Sequence, residues 1–280
     1  MCCSIPTAFP KLKFTMRNNF LDDIAVVVRA SGERTTSICI QLLEKQVGKI
    51  AGLVEGISPF NAASQKSVEM AVATGKKYTA LVDADVLVSP NSLTKLRSIL
   101  ERATPETFLV NTYTLDKFHL AGREGGIHFY RTNLLAKYLE LAEEWSDIPR
   151  PEAKFHHWME ANGYTIYYDQ QITSIHEFFQ WRKDVRQKVG YRLQKLGLPQ
   201  LKHASYLRKM AWLDGDFSIA GSLIRRSENT ASTNQRWEVP PFDGKEKTEK
   251  IAGWKVRFMT QRWAIYGYIY VQIPLKRLLG

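Results

Sequence analysis

The chain has 280 residues, 44% hydrophobic and 24% charged, which is enough apolar sequence for a full core and excludes an intrinsically disordered polypeptide. Its three cysteines, two of them adjacent at Cys2 and Cys3, have neither a disulfide-framework nor a metal-ligand spacing, and this favours a reducing compartment. The net charge of +11 is uneven: Met1 to Trp181 carries 19 Lys+Arg against 20 Asp+Glu, whereas Arg182 to Gly280 carries 20 against 8. A one-signed block of this kind calls for an anionic partner such as a phosphorylated acceptor, a membrane surface or nucleic acid. No apolar run follows Cys2 and Cys3, so an unmodified terminus is expected rather than a signal segment or an acyl anchor.

In chain order, Ile24 to Val28 is a continuous apolar run, suited to a central parallel strand covered on both faces. The loop Arg29 to Thr36 follows, with small residues, Gly32 and two arginines where a strand-to-helix loop would meet a ligand. Ser37 to Gln46 reads as a helix with Ile38, Leu42 and Leu43 on one face, and Ile50 to Val54 as a second strand closing at Glu55-Gly56. Phe60, Ala63, Ser67, Met70 and Ala71 recur at helical spacing, and Gly75 stands where a left-handed terminator is wanted.

Tyr78-Thr-Ala-Leu-Val-Asp83-Ala-Asp85 then runs a buried strand into two aspartates one residue apart. A pair at i and i+2 where a strand ends can aim both carboxylates at one hard divalent cation, and magnesium or manganese brings substrate phosphates with it. The chain carries its own control: Asp214-Gly215-Asp216 has the same spacing without an extended run before it and reads as a loop. Ser89 is expected to cap, and Pro90 to open, a helix bearing Leu93, Leu96, Ile99 and Leu100. Strand alternating with helix three times is a doubly wound α/β pattern, in which ligands sit off the carboxyl ends of the strands.

Phe108 to Tyr113 is a further strand, Gly122 to Gly126 a flexible turn before Ile127 to Tyr130, and Asn133 to Glu144 a helix. Pro151 opens a helix that Gly163 ends, Tyr164 to Tyr168 is a strand, and His176 follows. His156 and His157 are adjacent on a helix and point to different sides, which favours surface positions over a zinc site.

These residues resemble the family 2 glycosyltransferases with the glycosyltransferase A fold, over about Ile24 to Arg192. The resemblance rests on the opening strand, Asn61-Ala-Ala-Ser-Gln-Lys-Ser67 before a helix, Leu81-Val-Asp83-Ala-Asp85-Val86, the acidic segment Pro151-Glu152 leading to Gly163-Tyr164, and His176 with Trp181-Arg182. It implies a Rossmann-like, doubly wound, mixed but mainly parallel α/β sheet at residues 20–190, with a basic, mostly helical C-terminal region at 191–280. It also implies a divalent metal, manganese or magnesium, and a nucleotide-diphosphate sugar as donor. Asp83, with Ala84 beside it, would hold the ribose or sugar and share the metal with Asp85, and His176 would be a further metal or diphosphate ligand. Arg29, Ser31 and Glu33 would lie along the nucleotide, and Glu55 matches the family's base-contacting acidic residue. The family's usual Glu-Asp pair is here Pro151-Glu152, so Glu152 is the candidate general base, with Glu124 and Asp147 as alternatives.

The reaction so implied moves a sugar to a glycan or lipid-linked acceptor. Arg182, Lys183, Arg186, Lys188 and Arg192 would form a basic helix for the diphosphate or an anionic acceptor. Trp263 to Leu279 is too short and too interrupted to span a membrane but could lie at an anionic surface. The expected location is the cytoplasm or the inner face of a membrane. Two rival functions compete with this reading: a nucleotidyltransferase, which would want a glycine-rich loop where this chain has only Gly32, and a basic nucleic-acid-binding protein, which would leave the acidic pair without a task. Nucleic acid is therefore not an expected partner.

Overall fold

The computed structural model describes residues 21–117, 121–145, 150–181, 184 and 260. Cys2 and Cys3, Asp147, the basic segment from Arg182 to Arg192, the Asp214-Asp216 control, Trp263 to Leu279 and the proposed C-terminal region at 191–280 lie outside the described residues apart from Asp184 and Thr260. Among the described residues, no helix is long and apolar enough to cross a membrane.

The frame is a mixed seven-stranded sheet in the order β2-β1-β3-β6-β5-β7-β4. Its strands are β1 (Ile24–Ala30), β2 (Gly52–Glu55), β3 (Tyr78–Asp83), β4 (Val86–Val88), β5 (Thr107–Asp116), β6 (Ala121–Arg131) and β7 (Thr165–His176). β1, β2 and β3 are parallel neighbours, β6 runs against both β3 and β5, β7 runs with β5, and β4 runs against β7. Only β4 and β6 therefore run counter to the rest, which confirms a mixed α/β sheet with one dominant strand direction.

Alternation along the strands sorts the core onto two faces. Ile24, Val26, Val28, Ala80 and Val82 pack with α1 (Thr36–Val47) and α3 (Ser92–Arg102). Ala25, Val27, Leu81, Phe108 and Tyr130 pack on the other face with α2 (Phe60–Val72) and α6 (Pro151–Ala161). Between β6 and α6 the expected single helix is divided into α4 (Thr132–Leu135), α5 (Lys137–Leu141) and a 3-10 turn at Ala142–Trp145.

Two further expectations are corrected. Ser89 and Pro90 do not start a helix: the Ser89 N–H is 2.8 Å from the Thr173 carbonyl as an extension of β4, and α3 begins after Asn91, which takes a left-handed conformation. The helix still buries Leu93, Leu96 and Leu100 as its spacing predicts. Gly122 to Gly126 is no turn but part of the long strand β6. The register between β5 and β6 slips between Asn111 and Tyr113, and Gly125 and Gly126 take φ values of 108° and 101° to absorb the bulge.

At Gly126 a Cβ would fall 2.8 Å from Ser174 Oγ and 2.9 Å from Thr114 Cβ, so the glycine is required by close approach as well as by backbone conformation. Gly126→Ala should therefore destabilise the fold by roughly 2–4 kcal/mol, combining overpacking with left-handed strain. Urea unfolding checks this, and a loss below about 0.5 kcal/mol, the range of an ordinary surface change, would contradict it.

Candidate active site

The carboxyl ends of β1, β2 and β3 lie side by side, with Ala30 in register with Glu55 and Arg29 with Asp83. Glu55 is exposed there, as is Ser31 in the loop that follows β1. That loop is braced from several directions. Glu33 folds back so that its carboxylate accepts the Ser31 N–H at 2.6 Å. The Thr35 hydroxyl donates to the Ala84 carbonyl at 2.6 Å, Gln180 Nε2 donates to Thr35 Oγ1 at 2.9 Å, and Trp181 Nε1 donates to the Gly32 carbonyl at 3.1 Å. The segment after β7 thus fixes the loop that the family resemblance would lay along the nucleotide.

Alternation places Arg29 and Asp83 on the α2/α6 face. Arg29 is buried, and its Nε and Nη2 both lie 2.8 Å from Asp83 Oδ1. Its Nη1 donates to Ser64 Oγ at 3.1 Å and also to Glu152 Oε1 from the first turn of α6. Burial alone would push the Glu152 carboxyl up, but the Arg29 guanidinium outweighs it and holds the group down at about 2. Glu152 is consequently held as a carboxylate. Phe60 stacks over the same guanidinium at 5.1 Å.

Asp85 goes elsewhere. β3 ends at Asp83 and the chain turns through Ala84 and Asp85, so the i, i+2 parity that would aim both carboxylates one way no longer holds. Asp85 instead faces the end of β7, with Oδ2 3.4 Å from His176 Nε2. Glu177, in a left-handed conformation next in the chain, brings Oε1 within 4.0 Å of the same nitrogen, and its N–H bonds the Asp85 carbonyl at 3.2 Å. Ligand atoms of Asp85, His176 and Glu177 all lie within 4.8 Å of one another, the only such grouping among the described residues. Two carboxylates and an imidazole are a chemically suitable donor set for a divalent metal ion. The structure thus brings Asp85 and His176 together, while Asp83 stands apart with Arg29.

On its far side, His176 Nδ1 is 2.9 Å from Asp116 Oδ2 at the end of β5. Burial would lower the affinity of His176 for a proton, yet Asp85 and the hydrogen bonds to Asp116 and Asp85 overcome it and raise the imidazole to about 10. Asp116 in turn is held well below the usual carboxylate range, because His176 and Arg123 outweigh its burial.

His156 is not the surface residue that the adjacent pair suggests. It is half-buried with Nε2 2.9 Å from the Tyr130 hydroxyl, and burial pushes it down to about 3, whereas His157 is exposed. Glu124 is exposed on β6. Glu177, Asp116 and Arg123 are members of the cluster that sequence reasoning missed. An acidic residue directly after His176 was the available signal for Glu177; Asp116 and Arg123 had none in local spacing.

No family model and no curated protein sequence matches the chain. Similar solved structures include a glycosyltransferase involved in the glycosylation of the major capsid of PBCV-1, at 12% identity over 55% of this chain and 93% of that one, with a TM-score of 0.39. They also include a cytidylyltransferase from Leptospira borgpetersenii, at 9% identity over 54% and 77% of the two chains, with a TM-score of 0.36.

Proposed function

We propose that this protein is a metal-dependent glycosyltransferase that moves a sugar from a nucleotide-diphosphate donor to a glycan or lipid-linked acceptor. The observation that carries the proposal is the convergence of Asp85, His176 and Glu177 beside the carboxyl ends of β1, β2 and β3. Glu55 and the loop from Ser31 to Glu33 take the nucleotide, and Asp83 takes the ribose or the sugar. Asp85, His176 and Glu177 hold the divalent ion, which when bound neutralises the leaving diphosphate as a Lewis acid. In the transfer the bond from the anomeric carbon to the diphosphate oxygen breaks and the bond to the acceptor oxygen forms. The diphosphate keeps the bonding electron pair, and Glu152 takes the acceptor's proton.

The test is a thermal-unfolding panel of nucleotide sugars with and without manganese. A ligand at about 100 times its Kd stabilises the native state by about 2.7 kcal/mol. For a domain of this size that corresponds to a rise of roughly 5–10 °C. The expected result is such a rise with one nucleotide-diphosphate sugar only when manganese is present. No shift with any member of the panel in manganese would count against the proposal.

A further inference from the structure

His176 is the one member of the cation cluster that has to present a particular nitrogen in a particular form. A neutral imidazole ligates a metal through the nitrogen that carries no proton, and the partner of the other nitrogen decides which one that is. Nε2 faces Asp85 and Glu177, so the ligating form needs its proton on Nδ1. Two groups compete for Nδ1: Asp116 Oδ2 at 2.9 Å, which accepts, and Arg123 Nη2 at 3.1 Å, which donates. Only an Nδ1 stripped of its proton could accept from Arg123.

The surroundings favour Asp116. Its side chain is 0% exposed, lies in register with His176 across β5 and β7, and would lose a buried hydrogen bond if Nδ1 were bare. Arg123 has other acceptors: its Nε donates to the same Asp116 oxygen at 2.5 Å and its Nη1 to the Glu124 carbonyl at 3.1 Å. Arg123 therefore serves to keep Asp116 ionised and aimed, not to hold the ring itself. Three strands contribute: β5 the carboxylate, β7 the histidine and β6 the arginine that ties the carboxylate down.

We propose that Asp116 is a positioning residue that fixes His176 with its proton on Nδ1 and its Nε2 lone pair turned to a divalent cation shared with Asp85 and Glu177. This rests on the metal-dependent reading of the site and extends it to a fully buried carboxylate that reaches neither cation nor substrate. An asparagine at position 116 has the same shape, but its neutral amide oxygen is a weaker acceptor than the carboxylate, so Nδ1 loses the charge-assisted partner that holds its proton.

The experiment is a manganese titration followed by the paramagnetic resonance of the free ion, without any nucleotide sugar, on wild type, Asp116→Asn and His176→Gln. Loss of an outer-shell partner of this kind typically costs 10–100-fold in metal affinity. The expected result is that Asp116→Asn binds manganese 10–100-fold more weakly than wild type while still unfolding cooperatively in urea. If wild type binds manganese and Asp116→Asn binds it within twofold, the positioning role is overturned and the metal reading stands. If wild type binds none at millimolar manganese, the metal reading falls and the positioning role with it. Should Asp116→Asn fail to fold, nitrogen NMR of histidine-labelled wild type in saturating magnesium decides, with His176→Gln assigning the signal. A proton on Nδ1 of His176 supports the proposal, and one on Nε2 overturns it.

Discussion

Replacing Arg29 with methionine is expected to cost the fold roughly 3–5 kcal/mol, the penalty for removing one partner of a buried ion pair and leaving the other charge behind. Arg29 is 6% exposed and serves two carboxylates that differ in their access to water: the side chain of Asp83 is 45% exposed and that of Glu152 only 16%. Asp83 can turn outward when the guanidinium goes. Glu152 sits in the first turn of α6 against Ser64 and cannot. The loss should therefore be traceable to Glu152, and Arg29→Met combined with Glu152→Leu should recover a good part of it, with a coupling of roughly 1–3 kcal/mol in a double-mutant cycle.

The pH dependence gives the same argument an independent sign. Glu152 is depressed to about 2 in the folded protein, below its unfolded value of about 4.3. Its contribution is thus fully present above about 4.3 and is lost as the pH falls through about 2. Without Arg29, the largest charge opposing burial is gone and the carboxyl moves upward. The gap between wild type and Arg29→Met should accordingly narrow as the pH falls from 7 to 3. Urea midpoints across that range decide the matter: a gap under 1 kcal/mol at pH 7, or one that does not change with pH, would show that Arg29 does not neutralise Glu152.

The parts of this fold that were legible in the sequence are those in which local pattern and tertiary place agree. The run from Ile24 to Val28 reads as a fully covered strand because β1 lies between two neighbours and beneath helices on both faces. Pro151 and Gly163 bracket α6 because one suits a first helical turn and the other takes φ 86° just beyond the end. Gly122 to Gly126 misleads for a physical reason: glycine signals a turn locally, whereas here Gly126 makes room for Thr114 on β5 and Ser174 on β7. β4 is hidden because three residues after a turn carry no period to read. The cation cluster was half legible for a related reason. Asp85 and His176 stand at strand ends, but Asp116 and Arg123 reach them only through the order β6-β5-β7-β4, which no local spacing encodes.

Asp85→Ala should lower metal-stimulated turnover of the nucleotide sugar that stabilises wild type by at least about 10²–10³-fold, the loss seen when one preorganised electrostatic contact to developing charge is removed. The fold should survive. Asp85 is one of three carboxylates around His176, and with it gone Asp116 at 2.9 Å and Glu177 still accompany the imidazolium, so the thermal midpoint should move by only a few degrees. Asp83→Ala provides the contrast, because Asp83 contacts Arg29 and lies outside the cation cluster. That variant should weaken the donor, seen as a raised KM, while turnover at saturating donor still responds to manganese. If the two aspartates acted on one ion together, both variants would lose the manganese response alike. If neither lost it, the Asp85, His176 and Glu177 cluster would be a buried ion-pair network with no part in the transfer. Division of labour between Asp83 and Asp85 is thus open to a single side-by-side measurement: manganese dependence of kcat in the two variants, with loss in Asp85→Ala and retention in Asp83→Ala as the outcome that the turn at Ala84 leads us to expect.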